Sequence, residues 1–565
     1  MENKQTLLKY LFVLAFGIIL FIPFIGEVDL FDWDEINFAE AAREMLTTGD
    51  YLTVRIDYEP FHEKPPLFIW LQVISMKVFG VNEFAARLPN ALIGVLSLLF
   101  LFYIGIKLID EKFGLLLVLT YSSSILPHFY FKTGLIDPAF NLLMFGSIYF
   151  LFRSFNEKIP NSSNNVNNNI KDKAKTKINY LLLAGILDGL AILTKGPVGY
   201  LLVIITAFIF WLFNKKGIKL PLLEFVLFTL MAFVPIILWY IALGAQYGFK
   251  LIPEFINYQI RLFSTQDAGH GGPIYFHLIV LLFGVFPSSV FAFRGFRKQI
   301  QDTENIKQFS LWMMILLLVV LVIFSIVKTK IIHYSSLAYY PIAFFAAKGI
   351  YGILYNSTGW KKSTNWLLAI IGFPIAIAVL MLPIAMMNID LILPRIKDIF
   401  TFKILSGNYY WAGNEWLAGA ILFLGLLLTF VFIAKRKYLL SITSTYASTL
   451  IFVVLLLPLL VPRIEQYTQL TPINFIKKLQ GNNCYVITYG YKSFAQYFYL
   501  QQKFNQSAIS KNMSSADFEN WLLTGNIDKP AFFIAKYQNK DKLLNNPNLT
   551  ELYEKNGWVF FYRSQ

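Results

Sequence analysis

The chain has 565 residues, 56% of them hydrophobic and only 15% charged, and it carries a net charge of +15. A water-soluble domain would hold roughly a quarter charged residues, so the composition excludes that class and points to a bilayer. In that setting the excess of Lys and Arg marks cytoplasmic loops, not nucleic-acid binding, and the single cysteine, Cys484, excludes an intramolecular disulfide.

Apolar runs long enough to cross a hydrocarbon layer of roughly 30 Å as helices lie near 7–26, 86–107, 113–131, 136–152, 179–194, 197–213, 221–243, 275–293, 309–327, 334–355, 365–384, 416–434 and 442–461. No small-residue cleavage site follows the first run, so it is read as a retained helix. With Lys4 and Lys9 in the cytoplasm, every second loop is basic: Lys107 and Lys112, Arg153 to Lys177, Lys215 to Lys219, Arg294 to Lys298, Lys361 and Lys362, and Lys435 to Lys437. This alternation predicts about thirteen spans, with the N-terminus inside and the C-terminus outside the cytoplasmic membrane. The fold class is thus an all-α polytopic membrane domain over 1–462, followed by a smaller unit.

The first outer loop, 27–85, opens with "FDWDEINFAEAAREM" (31–45). Phe38, Ala41, Ala42, Met45 and Leu46 share one helical face, which predicts an amphipathic helix lying on the membrane surface. Asp34 stands where an N-cap belongs and Glu35 where a carboxylate complements the helix dipole. On spacing alone, those duties explain the pair as well as chemistry does. Pro65 and Pro66 start a second interfacial helix over 65–80. The polar, basic stretch within 154–178 reads as a flexible cytoplasmic loop. After residue 462, "NCYVITYG", "PAFFIAKY" and "GWVFFYR" are strand-like, while "SFAQYFYLQQKF" and "SSADFENWLLTG" are helix-like. They predict a small extracytoplasmic α/β domain over 463–565, with no catalytic motif.

Ionisable residues gather on the outer side: Glu59, Glu63 and Lys64, Asp137, the loops 257–277 and 327–341, and all five histidines, 62, 128, 270, 277 and 333. The pattern predicts a site just outside the bilayer, acting on something that arrives from the membrane. The segment from Asp32 to Val95 strings together an Asp-Glu pair, A-E-A-A-R-E-M, G-D-Y-L, E-K-P-P-L and F-G-V-N-E-F-A-A-R-L-P. It closely resembles the first outer loop of bacterial GT-C glycosyltransferases, the lipid A aminoarabinose transferases and their relatives of protein-mannosyltransferase type. The resemblance continues more weakly through "GLIDPAF", "LTKGPVGYLL" and "KTKIIHYSSLAYYP".

This resemblance implies a GT-C fold and transfer of a sugar from a polyprenyl-phosphate donor to a lipid (lipid A-like) or protein acceptor on the outer face of the membrane. It places the acidic pair at Asp34 and Glu35, a second aspartate at Asp137, and the donor phosphate on Lys64, Arg261 and Tyr334, with Lys330 as a spare cation. The roles are physically coherent: fixed cations stabilise charge building on a phosphate leaving group, and Asp34 could take a proton from an acceptor hydroxyl. No cofactor is required. The extra D-x-D at Asp32 and Asp34, and His62 and His270 beside Glu63, raise a second reading, a divalent metal on Glu63, His62 and His270. Without an H-x-x-H spacing, interfacial histidines are the favoured reading. Two rival functions stand beside the transferase: a transporter or flippase of lipid-linked sugars, which would place its site at the midplane with repeated, interrupted helices, and a polymerase or ligase using lipid diphosphates. No nucleic-acid partner is implied.

Overall fold

In a bilayer the backbone has no water to bond, so long apolar runs must close their hydrogen bonds locally as helices. The computed structural model, which describes residues 2–156, 167–213, 222–249, 253–257, 271–297, 303–356 and 358–565, is helical over most of its length. The first ten helices are α1 (Glu2–Phe21), α2 (Asp34–Thr48), α3 (Leu67–Phe79), α4 (Glu83–Leu108), α5 (Glu111–Ser122), α6 (Ile125–Tyr130), α7 (Asp137–Asn156), α8 (Asn167–Lys195), α9 (Val198–Phe213) and α10 (Leu222–Tyr247). Among the described residues nine helices are long and apolar enough to cross a membrane, or ten if one bent pair is counted.

Of the remaining expected spans, 136–152 and 197–213 are single helices, α7 and α9, and two are irregular. The run 113–131 breaks between α5 and α6, where Ser123 and Ser124 precede Pro127. The run 275–293 is not one straight span. It folds into Phe276–Gly284 and Ser288–Gly295, bent by 103°, with Pro287 at the bend, where no N–H can continue the ladder. The loop expected over 154–178 is also corrected in part. Residues 167–178 form the first turns of α8, as their lysines and alanine favour, and 157–166 lie outside the described residues.

Inward faces make two apolar clusters. The larger joins α1, α4, α5 and α7–α10 with helix Tyr339–Tyr355, around Phe102, Phe145, Tyr149 and Tyr340. The smaller joins the bent pair to helices Trp416–Ala434 and Tyr438–Leu459, around Phe291, Leu422 and Tyr446. A Cβ on Gly105 would lie 2.3 Å from the Gly114 Cα. α4 and α5 therefore touch backbone to backbone, as lipid-embedded helices do where small residues meet. Outward faces stay apolar, with Leu230, Leu238 and Ile241 exposed, which suits contact with lipid.

The C-terminal region forms a sheet of β3 (Tyr485–Tyr489), β4 (Ala531–Lys536), β5 (Thr550–Lys555) and β6 (Trp558–Arg563), in the order β3-β4-β6-β5 and parallel only between β3 and β4. These labels leave β1 (Arg55–Ile56) and β2 (Glu59–Pro60) for a hairpin in the first loop. Alternation sorts the sheet's side chains. Phe533, Val559 and Phe561 face helix Ser515–Thr524, while Ile534, Trp558 and Phe560 join an apolar cluster with helices Leu470–Leu479 and Ala495–Leu500 that continues to α2 and α3. Strand β5 was not expected from sequence, because half of its residues are charged and most are exposed at an edge.

That packing overturns one expectation. α2 does not present a face to the membrane surface: Glu35 through Met45 are all buried, polar face included. Its charges are neutralised internally, with Arg43 forked onto Glu40 by two bonds of 2.7 Å.

Candidate active site

Asp34 is the first residue of α2, and no side chain caps that helix. Capping therefore does not account for it. Its carboxylate lies 3.8 Å from His333 Nε2, and the same nitrogen lies 3.9 Å from the Asp137 carboxylate. Lys195 Nζ then donates to Asp137 Oδ1 at 2.6 Å and stands over the Tyr334 ring, 5.3 Å from its centre. Lys64 adds its field to Asp34, Asp137 and Tyr334. Each side chain sits at an element boundary. Lys64 precedes Pro66, which opens α3, and Asp137 opens α7. Lys195 ends α8, where Gly196 takes φ +94° to stop the helix. His333 and Tyr334 lie on the 3-10 turn Ile332–Ala338 that leads into helix Tyr339–Tyr355.

Burial raises the Asp34 carboxyl, and the partly opposing fields of His333, Lys64 and Lys195 leave it above its ordinary value. A raised carboxyl is a stronger base once ionised. Burial works against the Lys64 ammonium, but Glu63, which accepts from it at 2.8 Å, and Asp34 outweigh that and raise its pKa. Lys64 therefore stays charged.

Glu35, expected to be catalytic, has its carboxylate filled with hydrogen bonds. It accepts from Arg87 Nε at 3.0 Å, Arg87 Nη2 at 2.8 Å, Phe31 N at 2.8 Å, and Gly134 N. Burial raises its carboxyl, yet Arg87 and these backbone donors bring it below the ordinary value. Arg87 also donates to the carbonyls of Ile25, Val28 and Asp29. Since Gly134 lies three residues before Asp137, Glu35 ties the loops carrying Asp34 and Asp137 together.

Lys330, expected as a spare cation, is taken up within the fold. Lys330 Nζ donates to the carbonyls of Phe324, Ser325 and Val327 at 2.9, 2.7 and 2.7 Å. It closes the end of helix Glu304–Ile326, and all three of its protons are taken. The D-x-D carboxylates diverge: Asp32 lies against Ser493 and the Phe494 backbone, Asp34 against His333. His62 faces Glu254 at 3.5 Å and Glu63 faces Lys64. Among the described residues no group of three or more His, Cys, Asp or Glu is arranged to hold a metal. Arg261 and His270 lie outside the described residues.

Sequence reasoning missed Lys195, His333 and Arg87 as site builders. Lys195 carried a signal: it is a lysine in the short outer turn of "LTKGP", inside a stretch where the resemblance continues. His333 sat inside "KTKIIHYSS" and was grouped with the interfacial histidines. Arg87 belonged to the F-A-A-R-L-P element.

Residues 63–161 match the family model for dolichyl-phosphate-mannose-protein mannosyltransferase. The chain is 29% identical over 307 residues to an uncharacterized protein of Aquifex aeolicus, covering 53% of this chain and 63% of that one. It is 25% identical over 351 residues to the undecaprenyl phosphate-alpha-4-amino-4-deoxy-L-arabinose arabinosyl transferase of Yersinia enterocolitica, covering 60% of this chain and 58% of that one. The alignments thus span about three fifths of these relatives' own length. The crystal structure of ArnT from Cupriavidus metallidurans in the apo state superposes with a TM-score of 0.73 at 15% identity, over 100% of this chain and 98% of that one. The chain has the fold of that ArnT. The same Cupriavidus protein bound to undecaprenyl phosphate superposes with a TM-score of 0.71 at 16% identity, over 98% and 97% of the two chains. The ArnT-like fold extends through the C-terminal sheet, well beyond the stretch that the family model matches.

Proposed function

We propose that this ArnT-like protein is a glycosyltransferase that moves a sugar from a polyprenyl phosphate to a lipid or protein acceptor on the extracytoplasmic face of the cytoplasmic membrane. The observation that carries the reading is the convergence of Asp34, Asp137 and His333 with Lys64, Lys195 and Tyr334 at one end of the bundle. A small cleft adjoins it, lined by Phe61, His62, Lys64, Trp239, Leu243 and Phe255. An apolar wall ending in a cation suits a lipid phosphate.

In the proposed step an acceptor oxygen attacks the anomeric carbon as the carbon–oxygen bond to the phosphate breaks. The polyprenyl phosphate leaves with the electron pair. Lys64, and Lys195 drawn partly from Asp137, stabilise the charge that builds on it, and Tyr334 can donate to a phosphate oxygen. Asp34 takes the proton from an acceptor hydroxyl; an acceptor that is already an ionised phosphate needs no base. Asp137 holds sugar hydroxyls and keeps Lys195 in place. The step needs no metal.

Purified protein should cleave a polyprenyl-phosphate sugar in detergent, where vectorial transport is impossible. Binding without turnover would favour the transporter reading. Preference for a diphosphate-linked donor would favour the polymerase or ligase.

A further inference from the structure

At the end of the bundle opposite Asp34, a second pocket of about 560 Å³ opens between α4, α7 and helix Glu304–Ile326, lined by Lys107, Tyr149, Phe152, Arg153, Asn156 and Asn305. Among the described residues no carboxylate lines it. Arg153 donates to the hydroxyls of Tyr149 at 3.2 Å and Tyr180 at 3.0 Å, and the Lys107 ammonium lies 5.9 Å from the centre of the Tyr103 ring. Among the described residues neither cation has an acidic partner, although other cations at this end do: Lys9 pairs with Glu111 and Lys177 with Glu224.

Two further features point to an anion. The Asn156 side-chain amide nitrogen is buried without a hydrogen-bond partner. Asn305 is the second residue of its helix, so the positive end of that helix dipole lies at the pocket. A basic cleft between spans, at the depth where headgroups lie, is where phospholipid phosphates bind. Snorkelling would explain a lysine at a helix end, but it needs neither a shared pocket nor an unpaired buried amide.

We propose that this pocket binds the phosphate of an anionic phospholipid from the leaflet opposite the carboxylate site. Arg153 supplies a planar fork and Lys107 a point charge, while Asn156 adds a neutral donor. The site is independent of the transferase reading, and none of its residues belongs to the catalytic cluster.

The test uses the full chain, stripped of lipid in detergent and examined by native mass spectrometry with phosphatidylglycerol, phosphatidylcholine and inorganic phosphate as separate probes. Phosphatidylglycerol should be retained in preference to phosphatidylcholine, and inorganic phosphate should not displace it. Lys107→Gln should weaken retention about fivefold and the Lys107→Gln/Arg153→Gln double variant about twenty-fivefold, since each cation near a membrane contributes a similar increment. Equal retention of the two lipids, or unchanged retention by the variants, overturns the proposal. Displacement by inorganic phosphate at equal concentration overturns the lipid assignment. Should the double variant fail to fold, Lys107→Gln decides alone, because Lys107 is exposed.

Discussion

Between the helical bundle and the C-terminal sheet, Arg87 places its donors on Glu35 and three backbone carbonyls, and Glu35 accepts from Arg87 and two backbone N–H groups. One residue away in the chain, Asp34 faces His333 at 3.8 Å, and His333 faces Asp137 at 3.9 Å, separations too long for hydrogen bonds. The first group holds the loop in place and has no capacity for another ligand. The second is charged, partly desolvated and incompletely bonded, the condition a reacting group requires. Adjacent carboxylates thus divide into a scaffold and a site, and the division is made by what surrounds each one.

Breaking the open group should remove activity and spare the fold. Asp34→Asn and Lys64→Ala are each expected to lower sugar transfer by about 10²–10⁴-fold with unfolding temperatures near wild type. Wild-type turnover by both would dissolve the site assignment. Breaking the closed group should do the reverse. Arg87→Leu leaves Glu35 buried without its cation, a loss of about 3–5 kcal/mol, read as poor recovery of folded protein or a large fall in unfolding temperature. A stably folded Arg87→Leu protein would show that the closed group is not a scaffold.

A gentler test lies where the first loop meets the sheet domain. Burial pushes the Asp57 carboxyl up to about 7; the Gln502 amide opposes this, and Glu59 and Glu40 add to it. The folded state then holds a proton that the unfolded chain, with a value of 3.8, releases. Stability from this group is present at low pH and is lost as pH rises through about 7. Asp57→Asn keeps an acceptor for Gln502 and suits the positive φ of 56° at the hairpin turn. The unfolding temperature of this variant should depend less on pH between about 4 and about 7 than that of the wild type. An identical pH profile would reject the account. The smallest effect is expected for Tyr58→Phe, which removes the 2.9 Å bond to the Gln502 carbonyl and should cost about 1 kcal/mol in denaturant melts. Finally, chelation with EDTA should leave transfer unchanged; a loss restored by zinc would return the metal reading.

Much of the fold was legible in the residues. The thirteen apolar runs are all helical, and three of the four strands in the C-terminal sheet lie where β-rich segments were noted. The bend at Pro287 and the break before α6 were not seen, because hydropathy windows average over single prolines and serines. Of the site, Asp34, Lys64, Asp137 and Tyr334 were legible through linked motifs. Lys195 and His333 were not, since each stands in a short segment whose own pattern says only turn or interface. The burial of α2 was invisible as well, because the C-terminal helix Ala495–Leu500 that packs on it lies more than 400 residues further along the chain.

The sequence by itself determined that this protein is a bundle of membrane helices with a small mixed domain at its C-terminal end. Backbone hydrogen bonding in lipid is settled within each apolar run, so local composition is enough. Only the tertiary structure decided which acidic residues are free to act. Glu35 is closed by an arginine 52 positions away, while Asp34 meets a histidine about 300 residues distant. No local pattern encodes such pairings, because desolvation and Coulomb energy depend on distance in space and not along the chain.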